Sequence, residues 1–305
     1  MAKITVVGSL IMDNVATMEE FPKAGESVKG YSINYFHGGK GANQCVAISR
    51  LGGNCEMIGM VGNDDNGRSF IKLFEQENIK ADNIFTCDKP TGIAQIQIDR
   101  NGQNRICFIP SANYEFDFQH LNLIDETIKN SDLIVLQLEL RLEIIEEIIN
   151  RANKYGVKIL FNPAPALNIN KYVLKYVDYI TPNESELSAL TNMPVDNEKE
   201  IINALKKLLS YGCKTIVATL GSKGAVIATN EYIKFIKGYK VKAIDTVGAG
   251  DSFNGALAVA LVEGKSIEEA VKFANAMGAL TVQKNGAIPS LHTRKEVEEF
   301  IKING

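Results

Sequence analysis

The chain has 305 residues, 45% of them hydrophobic and 23% charged, with a formal net charge of −3. That is the composition of an ordinary soluble globular protein, and its charge argues against nucleic acid as the main partner. No apolar run of about 18 residues is present to span a membrane. Lys3 leads directly into Ile4-Thr5-Val6-Val7, not into a signal-peptide core.

Five cysteines (Cys45, Cys55, Cys87, Cys107, Cys213) without a C-x-x-C spacing read as reduced thiols of a cytoplasmic protein. His37, His120 and His292 have no metal-ligand spacing and read as surface or loop residues. Length alone suggests about two domains.

Ile4 to Val7 is a continuous apolar run ending in Gly8-Ser9. Such runs belong to buried parallel sheets, and ligand loops follow the carboxyl ends of their strands. Gly8 to Asp13 is therefore a candidate binding loop. Asp13 is either its polar contact or a turn residue.

Residues 14–37 hold β-type residues broken by Pro22, Gly25 and Gly30. Residues 84–110 repeat this character, with a hairpin signal at Asn101-Gly102. The two segments are expected to pair into a small antiparallel sheet, a β lid. The remaining segments, 1–13, 38–83 and 111–305, form the core domain. Between the lid segments lies Gly38-Gly39-Lys40-Gly41-Ala42-Asn43-Gln44, opening a helix to Leu51. It suits close backbone approach to a polar ligand, with Lys40 and Asn43 as contacts. It equally suits a hinge between lid and core.

A strand over 57–61 and a helix over 67–77 come next. After the second lid segment, strands are expected over 132–138, 157–161, 177–181 and 215–218. Helices are expected over 142–155 and 199–211, followed by a hairpin over 225–243 and three helical patterns. Strands alternating with helices predict an α/β fold with a mainly parallel sheet covered on both faces. In such a sheet the strand ends share one edge. That gathers Glu139, Asn183, Glu186 and Thr219 with the Gly8–Asp13 loop.

Asp245-Thr246-Val247-Gly248-Ala249-Gly250-Asp251 joins an alternating run, 239–244, to a helix over 252–262. It reads as strand, glycine turn and helix N terminus, a ready anion site. A carboxylate inside an anion site repels phosphate, unless it takes a proton from an attacking hydroxyl while the amides hold the phosphoryl group. Otherwise Asp251 is a helix cap. Glu263-Gly264-Lys265-Ser266 lacks the first P-loop glycine, since position 259 is Val. Gly248-Ala249-Gly250 fails the dinucleotide pattern, since position 253 is Phe. No protein-kinase signature is present.

Five motifs in order resemble the ribokinase family of sugar kinases over essentially the whole length. They are Gly-Gly-Lys-Gly-Ala-Asn-Gln at 38–44, Asn-Pro-Ala-Pro at 162–165, Thr-Pro-Asn-Glu-Ser-Glu at 181–186, Thr-Leu-Gly-Ser-Lys-Gly at 219–224 and the Asp245–Asp251 stretch. The resemblance implies a three-layer α/β/α domain with a β lid that pairs two subunits. It implies transfer of the ATP γ-phosphoryl to a sugar primary hydroxyl. Asp251 is then the base, with the amides of Gly248, Ala249 and Gly250 as anion hole. Ile11, Asp13, Gly39, Lys40, Asn43 and Glu139 line the sugar. Asn183 and Glu186 act near Mg²⁺ and phosphate. Thr219, Gly221, Ser222, Lys223, Gly224 and Asn275 contact the nucleotide. Asp245, Val247, Thr281, Lys284, Gly286 and Ser290 resemble the family's monovalent-cation (K⁺) site.

One departure bears on substrate choice. Ribokinases read Gly-Ser-x-Asn-x-Asp in the first loop, and Ile11 stands where the Asn would bind the sugar. Deoxyribokinases also resemble this chain in having an apolar residue there. An apolar site rejects an added hydroxyl by only about 10², whereas a hydrogen-bonding site rejects the deoxy analogue by roughly 10⁴–10⁵. The expected substrates are D-ribose and 2-deoxy-D-ribose, with the deoxy sugar favoured if Ile11 faces the pocket and not the core. A same-fold kinase for another sugar or nucleoside is the alternative, and a non-catalytic sugar sensor is a third.

Overall fold

The computed structural model describes residues 2–304. The chain begins with Lys3–Val7 (β1), Ile11–Met18 (β2), Gly30–Gly38 (β3), Lys40–Arg50 (α1), Asn54–Gly62 (β4), Asp65–Gln76 (α2) and Lys80–Cys87 (β5). Gly92–Ile98 (β6), Asn104–Ile109 (β7), Phe118–Leu123 (α3), Asp125–Lys129 (α4), Leu133–Leu136 (β8), Leu142–Tyr155 (α5) and Lys158–Phe161 (β9) follow. Then come Tyr179–Ile180 (β10), Glu184–Thr191 (α6), Glu198–Leu209 (α7), Thr215–Thr219 (β11), Gly224–Ala228 (β12) and Ile233–Lys237 (β13). Ala249–Val262 (α8), Ile267–Thr281 (α9) and Arg294–Asn304 (α10) close the chain.

The large sheet runs β13-β12-β11-β10-β9-β8-β1-β4-β5. It is parallel from β11 to β5, with β12 and β13 added antiparallel at one edge. Strands such as Leu-Ile-Val-Leu in β8 are apolar at every position because both faces are covered. Leu133 and Val135 point into one core, with α1, α2, α8 and α9. Ile134 and Leu136 point into the other, with α5, α6 and α7. This is the expected three-layer α/β/α arrangement.

The second sheet has the order β3-β2-β6-β7. β2 pairs antiparallel with β3 and β6 pairs antiparallel with β7, but β2 and β6 run parallel. The expected all-antiparallel lid is thus corrected to a mixed one. Its expected bounds also shift. β2 already starts at Ile11, and residues 84–87 belong to β5, whose Ile84 and Phe85 pair with Gly59 and Met60 of the large sheet. A run of β-type residues cannot by itself say which of two sheets it joins.

The expected strand over 239–244 is absent. β13 ends at Lys237, and the N–H groups of Ile244 and Asp245 both turn to the Val282 carbonyl, at 2.7 and 3.2 Å. The segment is tied to the end of α9 and not to a sheet. His292, expected as a surface or loop residue, lies in a loop and is buried. Among the described residues no helix is long and apolar enough to cross a membrane.

Candidate active site

β1 and β8 are neighbours at a switch of direction. The strand beyond β1 on one side is β4, and the strand beyond β8 on the other is β9. Crevices at such switch points, outside the carboxyl ends of the strands, are where open α/β sheets hold ligands. The loops after β1 and β8 meet there. Ser9 Oγ donates to Glu139 Oε2, and the backbone N–H of Lys40 donates to the same oxygen at 2.9 Å. Asn113, fully buried, clamps the first loop. Its Oδ1 accepts from Leu10 N–H and its Nδ2 donates to the Leu10 carbonyl, both at 2.9 Å.

Alternation along β2 puts Ile11 and Asp13 on one face. Gly38 lies beside Asp13 because a Cβ there would sit 2.5 Å from Asp13 Oδ2. Ile11 is only 3% exposed, yet it belongs to neither hydrophobic core, whereas Leu10 and Met12 pack into the first.

Burial, reinforced by the charges of Glu139 and Asp251, pushes the Asp13 carboxyl up to about 7. Burial also raises Glu139 and Glu186, outweighing the opposing pull of Lys40 and the hydrogen bonds each carboxylate accepts. For Lys40 burial acts downward, but Asp251, Glu139 and Glu186 together hold it above its usual range. The crevice therefore keeps one ammonium among four carboxyl groups. The Asp13 shift has a sign consequence. Its folded value lies above its ordinary 3.8, so the folded state retains a proton that the unfolded chain releases between those two pH values. This contribution to stability is complete at low pH and lost as pH rises through about 7. Melting temperature against pH should fall more steeply over that window in the native chain than in Asp13→Asn.

Asp251 lies in the first turn of α8 but does not cap it. The cap is Gly248, in the left-handed region at φ 77°, with no side-chain cap bond. The Asp251 carboxylate is 7% exposed and faces α1. Asn43 Nδ2 donates to one oxygen at 2.8 Å and Gln44 Nε2 to the other at 3.0 Å. Of the turn amides, Ala249 N–H donates to the Thr246 carbonyl at 3.3 Å, whereas Gly248 and Gly250 N–H have no partner among the described residues. The expected three-amide anion hole is therefore two free amides plus one engaged in the turn.

Asn183 and Thr219 lie side by side in an isolated parallel bridge. Asn183 caps α6 and accepts from Glu186 N–H at 2.8 Å. Both Glu186 oxygens accept from Asn183, at 2.9 Å each. The expected phosphate-side pair is thus also a capping box, a signal the sequence carried in plain form. Gly221, Ser222 and Lys223 form an exposed turn after β11, and Gly224 opens β12. Asn275 is buried on α9. Its Nδ2 faces the Ile236 and Lys237 carbonyls at 3.5 and 3.4 Å, the outer limit of a hydrogen bond.

Asp245 ties two segments together, accepting from Val247 N–H at 3.0 Å and from Gly286 N–H at 2.8 Å. The carbonyls of Val247, Lys284 and Gly286 accept no hydrogen bond among the described residues, whereas that of Thr281 accepts from Lys284 N–H. The buried Ser290 hydroxyl donates to the Ala287 carbonyl at 2.7 Å.

Residues 1–294 match the family described as pfkB family carbohydrate kinase. The chain belongs to the pfkB family of carbohydrate kinases. It is 38% identical over 300 residues to a ribokinase of Haemophilus influenzae, covering 98% of each chain. It is 34% identical over 305 residues to a deoxyribokinase of Salmonella typhi, covering 99% of each. Among solved structures, an Arabidopsis thaliana ribokinase complexed with ribose and ATP superposes with a TM-score of 0.93 at 32% identity, covering 99% of each chain. As a pfkB kinase the chain carries the fold expected from its sequence.

Four polar residues close to Asp251 escaped the sequence reading: Gln44, Asn162, Thr181 and Asn254. Each had a signal. Gln44 ends the glycine-rich motif, Asn162 and Thr181 stand at or just past strand ends, and Asn254 follows Asp251 by three residues on one helix face.

Proposed function

We propose that this pfkB kinase transfers the γ-phosphoryl of ATP to O5 of a pentose, D-ribose or 2-deoxy-D-ribose, with Asp251 as general base. The observation that carries it is a buried carboxylate held by Asn43 and Gln44 beside two unpartnered turn amides. Asp13, Glu139, Lys40 and Asn43, with the Gly39 backbone, orient the sugar. Asp251 takes the O5 proton as the new phosphorus–oxygen bond forms and the bond from the γ-phosphorus to the β–γ bridging oxygen breaks, so that ADP leaves with that oxygen. The Gly248 and Gly250 amides and Lys40 stabilise the charge on the phosphoryl oxygens. Thr219, the Gly221–Gly224 turn and Asn275 hold the nucleotide end.

Among the described residues no cluster of three His, Cys, Asp or Glu could hold a metal. Asn183 and Glu186 would face Mg²⁺ carried by the nucleotide, through water. The ion would supply positive charge to offset that of the phosphate oxygens. Asp245 and the carbonyls of Val247, Thr281, Lys284 and Gly286, with Ser290, would hold a monovalent cation that strengthens the field at the turn. Replacing K⁺ by a bulky organic cation at equal ionic strength should lower kcat, and equal rates would remove this part of the reading.

Choice of pentose follows from Ile11. It meets the sugar with methyl groups and offers no hydrogen bond, so 2-deoxy-D-ribose gains contact and D-ribose leaves a hydroxyl unpaired. The test is ATP turnover on both sugars, for the native chain and for Ile11→Asn. The native kcat/KM ratio should favour the deoxy sugar, and Ile11→Asn should shift it toward ribose by about tenfold or more. A ratio unmoved by the substitution means the hydroxyl is read elsewhere. No turnover of either sugar redirects the reading to another substrate of the family.

The lid supports a homodimer. Its edge strand β3 exposes Tyr31, Ile33 and Tyr35 at 66%, 55% and 62%, and alternation places them on one face. An apolar strand edge of this kind seeks a second copy of itself. Ile33→Glu with Tyr35→Glu should halve the sedimenting mass, and an unchanged mass would place the contact elsewhere. Five cysteines without a disulfide support a cytoplasmic location.

A further inference from the structure

We infer that Gln44 is a positioning residue for Asp251, and that its side chain is locked by a closed circuit of buried hydrogen bonds. The inference rests on the reading of Asp251 as base. Gln44 is fully buried on α1. Its Nε2 donates both to Asp251 Oδ1 at 3.0 Å and to Asn162 Oδ1 at 3.1 Å, and its Oε1 accepts from Gln137 Nε2 at 2.7 Å. With both N–H bonds committed and the oxygen held, the amide cannot turn its oxygen toward the carboxylate.

The circuit continues away from Asp251 and comes back to it. Asn162 Nδ2 donates to the Thr181 carbonyl at 3.2 Å, and Thr181 Oγ1 donates to Asn254 Oδ1 at 2.6 Å. Asn254 Nδ2 donates to the Gly250 carbonyl at 2.8 Å. Gly250 is the residue before Asp251 and carries one of the free turn amides. One loop of bonds thus joins α1, the ends of β9 and β10, and the first turn of α8. It fixes the carboxylate through Gln44 and the backbone that presents it through Asn254.

The bonds of this loop are buried except the last, to the Gly250 carbonyl, which is part-buried, and a half-made buried network costs more than an apolar one. Packing alone would be met by leucine or methionine at these places. The polar circuit instead sets a direction: it holds Asp251 Oδ1 through Gln44 while Asn43 holds Oδ2, and it leaves the Gly250 amide without a partner among the described residues. A carboxylate that must meet a hydroxyl at hydrogen-bond distance needs that aim.

The test is a double-mutant cycle in single-turnover assays with either pentose and ATP. Gln44→Met should lower kcat about 30-fold or more while the KM for ATP stays within about twofold. Thr181→Val, which cuts the circuit without touching Asp251, should lower kcat by roughly three- to tenfold in the same pattern. In an Asp251→Asn background both substitutions should lose most of their effect, since residues acting through one group are not additive. Full additivity in that background, or a loss confined to KM or to melting temperature, overturns the inference. If Gln44→Met fails to fold, Thr181→Val alone decides by the same criterion. An Asp251→Asn variant with near-native rate would instead refute the base and leave the circuit as structure.

Discussion

Asp251→Asn should cost about 10²–10⁴ in kcat while nucleotide affinity, read by calorimetry, changes little. The range is that of a general base in hydroxyl activation. The substitution is close to isosteric and keeps an oxygen for either Asn43 or Gln44. It introduces an N–H₂ that must face one of those two donors, so one bond of the present pair is lost. The fold has other anchors at this point: Gly248 starts the helix, and the Ser252 N–H is already bonded to the Gly248 carbonyl at 2.8 Å. Melting temperature should therefore fall by far less than the activity. The carboxylate sits beside Lys40, so its loss also removes a charge that helps hold that ammonium in the crevice. A variant within about tenfold of the native rate would show that the hydroxyl proton leaves by another route.

Gly248→Ala should lose about 10²–10³ in kcat, the usual size for removing an oxyanion-type donor. Two effects add. The residue is at φ 77°, which strains any side chain, and a Cβ there would come within 2.9 Å of the Ala287 Cα. Ala287 cannot yield cheaply, because it belongs to the segment that Asp245 holds through Gly286. The turn must shift, and the free amides of Gly248 and Gly250 lose their aim together. Gly250→Ala is the informative partner. Nothing lies within 4 Å of its Cβ position and its φ is ordinary. It should fold like the native chain and lose less activity. Equal losses in the two variants would mean that bulk at the phosphoryl position, and not turn geometry, sets the rate.

Much of this molecule is legible in one dimension. The apolar runs over residues 4–7 and 133–136 announce strands buried on both faces, and their alternation with helical patterns announces a parallel sheet. The glycine turn before Asp251 and the glycine-rich start of α1 are local events. Their backbone demands are met by residue type alone, and so they can be read directly. The capping box of Asn183 and Glu186 belongs with them, since three residues of spacing determine it.

Where a segment could join either of two sheets, composition was silent. Residues 84–87 and 93–98 carry the same β-branched character, but the first group pairs with β4 and the second with β2. The alternating run over 239–244 has the right pattern for a strand but pairs with no neighbour, and its last amide, Ile244, goes to the Val282 carbonyl at the end of α9. Strand formation needs a partner, and partners are chosen by the whole fold.

The same division runs through the site. The sequence by itself determined that Asp251 stands at a glycine turn and that the Gly8–Asp13 loop and Glu139 follow strand ends. Only the tertiary structure decided that Asp251 is no cap. Asn43 and Gln44, more than two hundred residues earlier, draw its carboxylate toward α1. It also decided that Ile11 is hidden yet outside both cores, and that Gln44, Asn162, Thr181 and Asn254 close into one circuit. A side chain's direction depends on groups brought near by packing, and amides far apart in the chain reveal their common purpose only when the sheet and helices have placed them within a hydrogen bond of one another.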